Sequence, residues 1–275
     1  MRLRKSATLA AVLAFAVWSS LAQAASEQMQ ELTEALRIGD MVEILRQEGF
    51  THSQQLAADL IPGRANASWS KQITTIYDTG WMEKVVSQTF AEEMRDAALA
   101  PLIAFFTSDT GREVVELELK AREELLDEKK EQLAGQLYRR AKRNNSWIYE
   151  QITELIEDSD LVEFNVAGSL NSNMMFYRGM ADGGAFTLSE EEMLADVWSQ
   201  EEQIRADSED WLGPYLMLAY QKLDREELSA YAGLYRTEPG QKFNTAIFTA
   251  YNTLYDQISY ALGRAIARQL KSEEL

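Results

Sequence analysis

The chain has 275 residues, 46% of them hydrophobic and 10% aromatic, a composition that builds a folded core and does not stay disordered. Its formal net charge is −17, from 44 acids against 27 bases, which disfavours nucleic acid as a partner and docking on anionic lipid by charge. With no cysteine and a single histidine, it has no disulfide framework, and a His-based triad or metal site would have to run through that one residue.

Arg2, Arg4 and Lys5 precede an apolar run from Ala7 to Leu21, and Ala22-Gln23-Ala24 then supplies a small-x-small cleavage pattern. This predicts a secretory signal peptide over 1–24, cleaved after Ala24, and a periplasmic mature protein. The run is shorter than the roughly 20 apolar residues of a comfortable span. No later stretch is apolar enough to span, so no membrane span is expected after cleavage. Loss of Arg2, Arg4 and Lys5 takes the net charge from −17 to −20.

Apolar positions recur at three- and four-residue spacing, and no segment alternates cleanly for long, so the fold class is all-α. Short helices are expected near Glu27–Arg37, Met41–Gln47, Ser53–Leu60, Ser68–Asp78, Met82–Arg95 and Ile148–Ile156, with breaks at Gly39, Gly49, Gly63, Gly80, Gly168 and from Gly179 to Gly184. His52, in Phe50-Thr51-His52-Ser53-Gln54, has no ligand-type neighbours and reads as a surface residue.

The pattern Phe106-x-Ser108-x-x-Gly111 returns 129 positions later as Tyr235-x-Thr237-x-x-Gly240. Each copy leads into a long helical pattern, about Asp109–Arg143 and Glu238–Leu270. The first has an apolar face through Val114, Leu117, Ala121, Leu125, Leu133 and Leu137; at the common offset Leu125 matches Leu254 and Leu133 matches Leu262. Physically, the motif is a tight corner between helices. The Ser or Thr caps the second helix, the adjacent acid favours its first turn, and the glycine lets another backbone come close. Binding an anion at that helix N-terminus is the functional alternative, which the acid opposes.

The architecture expected is therefore a helical bundle of two duplicated halves packed together, 25–150 and 151–275. The second half carries an extra helical pair, Met193–Ile204 and Trp211–Leu223, split near Asp210. Ser189 with Glu192, and Asp224 with Glu227, have capping-box spacing. Asn171-Ser172-Asn173 with the nearby glycines reads as a loop shaping a groove mouth.

Phe105-Phe106-Thr107-Ser108-x-x-Gly111 and Glu227-Leu228-x-x-Tyr231-x-x-Leu234-Tyr235-Arg236-Thr237-x-Pro239-Gly240-Gln241-Lys242 resemble the motif of the bacterial DUF2059 family. The resemblance covers about Asp96–Leu137 and Asp224–Leu270. In the first copy Arg112-Glu113 stands in place of Gln-Lys, and Pro101 interrupts the preceding helix. The resemblance implies an exported, helical bacterial envelope protein. The family has no established activity, so it supplies no catalytic residue.

No phosphate loop or dinucleotide fingerprint occurs, and no cofactor is expected. Asp158-Ser159-Asp160 begins like a calcium loop, but Glu163 stands where Gly is required and Ser169 where the bidentate Glu belongs, so no metal is expected either. The candidate binding surface is Met174, Met175, Phe176 and Tyr177, with Trp198, Trp211 and Tyr215, because methionine and aromatic side chains accept varied apolar partners. Core packing is the competing reading of the same residues. The leading functional expectation is a non-catalytic binding module of the cell envelope, holding an envelope protein segment or an apolar small ligand. A hydrolase using a carboxylate pair on cell-wall glycan is one alternative. A structural subunit of an envelope assembly is another.

Overall fold

The computed structural model describes residues 26–63 and 65–271, and the leader pattern at 1–24 lies outside them. Helix α1 covers 26–35. It is followed by α2 (Ile38–Leu60), α3 (Ala67–Ile76), α4 (Thr79–Glu93), α5 (Ala100–Phe106), α6 (Asp109–Glu124) and α7 (Glu128–Arg143). Then come α8 (Trp147–Asp158), α9 (Leu161–Gly183), α10 (Glu190–Trp198), α11 (Glu201–Tyr220), α12 (Arg225–Tyr235) and α13 (Glu238–Lys271). Among the described residues there is no strand, and no helix is long and apolar enough to cross a membrane.

The organising element is α13. Phe243, Ala246, Ala250, Leu254, Ile258, Leu262, Ala265 and Ile266 are buried along it. It packs most extensively against α9 and next against α4. The contact with α9 is backbone to backbone. A Cβ on Gly263 would lie 2.2 Å from the Phe176 carbonyl oxygen, and one on Gly179 would lie 2.2 Å from that of Tyr260. These glycines allow an approach that any side chain would block.

That contact corrects two expectations. Gly168 and Gly179 do not break the chain: α9 runs unbroken through both, with Asn171, Ser172 and Asn173 in mid-helix and not in a loop. Gly49 likewise sits inside a continuous α2, where the Tyr77 ring would lie 2.0 Å from an added Cβ. All three glycines are close-packing positions inside helices and not chain breaks.

Both copies of the corner form, with the same bonding. The Ser108 hydroxyl donates to the Phe105 carbonyl at 2.6 Å and accepts from the Gly111 N–H at 3.0 Å. The Thr237 hydroxyl donates to the Leu234 carbonyl at 2.6 Å and accepts from the Gly240 N–H at 3.1 Å. The corners also meet. Phe106 and Tyr235 both pack on Phe243, with ring centroids 5.1 and 6.1 Å away, and Phe105 stacks on Tyr231.

Beyond the corners the two stretches diverge. The single helix expected over Asp109–Arg143 is two, because Asp127 accepts from the N–H groups of Lys129 and Lys130 and starts a new helix. Leu133 is consequently 53% exposed, whereas its offset partner Leu262 is buried. The extra pair divides at Ser199–Gln200 and not near Asp210, and α11 continues through Pro214. One hydrophobic core runs from Leu32 of α1 to Ile266 of α13, across the boundary expected near residue 150. A small second cluster of Val166, Leu170 and Val197 lies between α9 and α10.

Candidate functional site

The helices that follow the two corners form walls of one cavity of about 640 Å³. Helix α6 contributes Glu118 and Arg122, and α13 contributes Ile247 and Tyr251, which stand at the same 129-residue offset. Glu48 comes from α2, Ser169 and Ser172 from α9, Trp211, Tyr215 and Tyr220 from α11, and Tyr231 and Tyr235 from α12. A space of this size suits a small organic molecule.

Glu118 is the centre of a tyrosine network. Its Oε1 accepts from the Tyr220 hydroxyl at 2.5 Å and from the Tyr231 hydroxyl at 2.7 Å. Since Tyr231 spends its one proton on Glu118, the 3.0 Å contact between the hydroxyls of Tyr231 and Tyr235 has Tyr235 as donor. Burial raises the carboxyl above the usual carboxylate range, and the two tyrosine bonds only partly oppose that. Burial and then the Glu118 charge also hold Tyr215, Tyr220, Tyr231 and Tyr235 above the usual phenol range. The phenols thus remain neutral donors at ordinary pH. Glu118 Oε2 has no hydrogen-bond partner among the described residues.

Arg122, one turn further along α6, pairs with Glu48 and not with Glu118. Its Nε and Nη2 bind the two carboxylate oxygens of Glu48, each at 2.9 Å, and Nη2 also reaches the Tyr255 hydroxyl at 3.4 Å. The guanidinium lies 5.4 Å from the Trp211 ring centre, and Trp211 stacks on Tyr215 at 4.7 Å. Burial opposes the arginine's charge, but Tyr255 and Glu48 outweigh it and keep the group protonated. Glu48 and Arg122 cancel, so Glu118 is left without a cationic partner. Among the described lining residues Arg122 is the only lysine or arginine.

Other polar groups border the cavity with their bonding capacity unused. Ser159 is buried and lines it, and its hydroxyl has no partner. The Tyr251 hydroxyl has none among the described residues. Asn244 also lines the cavity and donates to the Ser159 carbonyl at 2.8 Å. A shallower depression adjoins the cavity and shares Asn165, Ser169 and Trp211 with it. Glu131, Asp207 and Asp210 line that depression, so the adjoining surface is acidic.

The residues singled out in the sequence separate. Trp211 and Tyr215 line the cavity. Phe176 packs on the main core, while Met174 and Tyr177 pack on the small cluster. Met175 lies within reach of Arg178, and Trp198 is 59% exposed and is not part of the cavity lining. His52 is exposed and is also part of the lining. Of the motif residues, Tyr235 reaches the cavity, while Phe106, Ser108, Gly111, Thr237 and Gly240 build the corners. Among the described residues no group of three His, Cys, Asp or Glu is placed to hold a metal ion.

Sequence reasoning missed Glu48, Glu118, Arg122, Tyr251 and Tyr255. A signal was present: Glu118 and Arg122 interrupt the apolar face of α6 at i and i+4, and Tyr251 and Tyr255 repeat that spacing on α13.

Residues 81–139 match the model of the family described as an uncharacterized protein conserved in bacteria, DUF2059. The match is one stretch, which contains the first corner, Glu118 and Arg122; the second copy of the motif lies outside it. No curated protein and no solved structure matches the chain.

Proposed function

We propose that the protein is a non-catalytic, small-molecule-binding module of the bacterial cell envelope, and that the tyrosine-lined cavity is its binding site. The observation that carries this reading is the set of uncommitted polar groups around the cavity: Glu118 Oε2, the Ser159 hydroxyl and the Tyr251 hydroxyl. Buried polar groups are nearly always paired, and the Ser159 hydroxyl is buried and unpaired; with half-buried Glu118 and Tyr251 offering open oxygens in the same lining, the cavity fits a bound molecule that completes them. The envelope assignment rests on the leader pattern of residues 1–24. A ligand with polar groups suits this lining better than the purely apolar one expected from the methionine and aromatic count.

The test is a small-molecule screen by thermal shift, run on the wild type beside Ser169→Trp. Ser169 lies where the cavity meets the outer depression, and an indole there would occupy the junction. Binders that stabilise the wild type and not the variant support the reading. Binders that act equally on both place the site elsewhere.

A carboxylate-dependent hydrolase is the second reading, favoured by the raised Glu118 carboxyl, which is the property of a general acid. The only other carboxylate lining the cavity among the described residues is Glu48, and Arg122 occupies both of its oxygens. That leaves no second free carboxylate among the described lining residues for the other half of a carboxylate pair. Release of sugars from cell-wall glycan by the wild type, lost in Glu118→Gln, would establish the hydrolase instead.

A further inference from the structure

Building on the binding reading, we propose that the cavity takes a small organic cation, a protonated amine or quaternary ammonium group, with Glu118 as its counter-charge.

Three independent observations lead there. The first is the charge balance of the lining. Glu48 is neutralised by a bidentate arginine, and no other lysine or arginine of the described residues borders the cavity. Glu118 is held by neutral phenols alone. A carboxylate withdrawn from water and lacking a cation is costly, and a cationic ligand removes that cost on binding.

The second is the direction of the hydrogen bonds. Tyr235, Tyr231 and Tyr220 all send their protons toward Glu118 Oε1, an arrangement that supports the ionised carboxylate as acceptor. It leaves Oε2 as a free acceptor on a group that lines the cavity. Tyr215, Tyr251 and Trp211 add aromatic walls, and aromatic rings attract cations, most strongly where water is excluded.

The third lies outside the cavity. The adjoining depression presents Glu131, Asp207 and Asp210, and it shares three residues with the cavity. The whole chain is acidic, with a net charge of −17. Such a surface concentrates cations at the approach and repels anions. An anionic ligand would have to pass these acids and then meet Glu118.

The experiment uses two matched pairs of probes that differ in charge and little in shape. These are benzylamine against benzyl alcohol, and choline against 3,3-dimethylbutan-1-ol. Each is titrated calorimetrically into the wild type and into Glu118→Gln at neutral pH. The Gln carbonyl can still accept from Tyr220 and Tyr231, so the network keeps its acceptor while losing its charge. The proposal expects at least one cation to bind the wild type about tenfold or more tightly than its neutral twin. It expects Glu118→Gln to erase that preference while retaining the wild-type circular dichroism spectrum. It also expects cation affinity to fall on acidification, as protons compete for Glu118. If neutral twins bind as well as cations, or if Glu118→Gln keeps the preference, the cation assignment is wrong and the binding cavity stands. If neither cation nor neutral probe binds, the assignment is overturned, and Ser169→Trp in the wider screen then decides whether the cavity binds anything else.

Discussion

Replacing Gly240 by alanine should destabilise the protein although alanine is the better helix former. The added Cβ would sit 1.9 Å from the Leu234 carbonyl oxygen, a backbone atom that cannot rotate away. Reaching even 3.0 Å requires opening the corner by about 1 Å, in an interior packed like a crystal. That carbonyl accepts from the Thr237 hydroxyl at 2.6 Å and from the Thr237 N–H at 3.0 Å, and the same hydroxyl accepts from the Gly240 N–H at 3.1 Å. Loss of the cap costs about 1 kcal/mol, and the two bonds to the displaced carbonyl cost about 1 kcal/mol each. The helical preference of alanine over glycine returns about 1 kcal/mol. The net loss is about 2 kcal/mol, a fall in Tm of roughly 5 °C for a chain of this size. Urea denaturation of Gly240→Ala beside Gly233→Ala supplies the assay and its control. Gly233 lies in α12 with no atom within 4 Å of an added Cβ, so there alanine should stabilise. A neutral or stabilising Gly240→Ala would refute the corner as the reason for the glycine.

Three further outcomes are expected. Gly263→Ala should cost about 1–3 kcal/mol by overpacking, since its Cβ would meet the Phe176 carbonyl at 2.2 Å, and amide exchange should quicken in α9 and α13. Arg122→Met strands Glu48; because the two side chains are 24% and 29% exposed, the loss should be about 2 kcal/mol, below that of a fully buried pair, and adding Glu48→Gln should recover part of it in a urea-melt cycle. Glu118→Gln tests the linkage. The folded carboxyl lies above its ordinary value of 4.5, so the stability it contributes is fully present below pH 4.5 and is lost as pH rises through the folded value. The ligand-free variant should therefore exceed the wild type in Tm at neutral pH, and the gap should close on acidification.

The periodicity of apolar residues carried the helical class, and capping chemistry carried several helix starts. Ser189 and Asp224 form the capping boxes their spacing implies, and Ser108 and Thr237 cap as expected. Glycine was the weak point, because the same residue serves a chain break and a close helix contact. Gly49, Gly168 and Gly179 take the second role, and only the partners Tyr77, Asn252 and Tyr260, distant in sequence, distinguish the two. The cavity was harder to find for a related reason. Trp211 and Tyr215 were singled out as aromatics, but Glu118 is one of 44 acids, and what sets it apart is the convergence of Tyr220 and Tyr231 from two other helices. Exposed Trp198 shows the converse, since aromatic character alone did not place a residue at the cavity.

The most direct test of the binding reading is the native mass of the chain purified from its own host without denaturation, for wild type and for Ser169→Trp. The account predicts that the wild type carries a small additional mass that is released on denaturation, and that the variant does not. A wild type at the bare chain mass, unchanged by any compound of the screen, would contradict it.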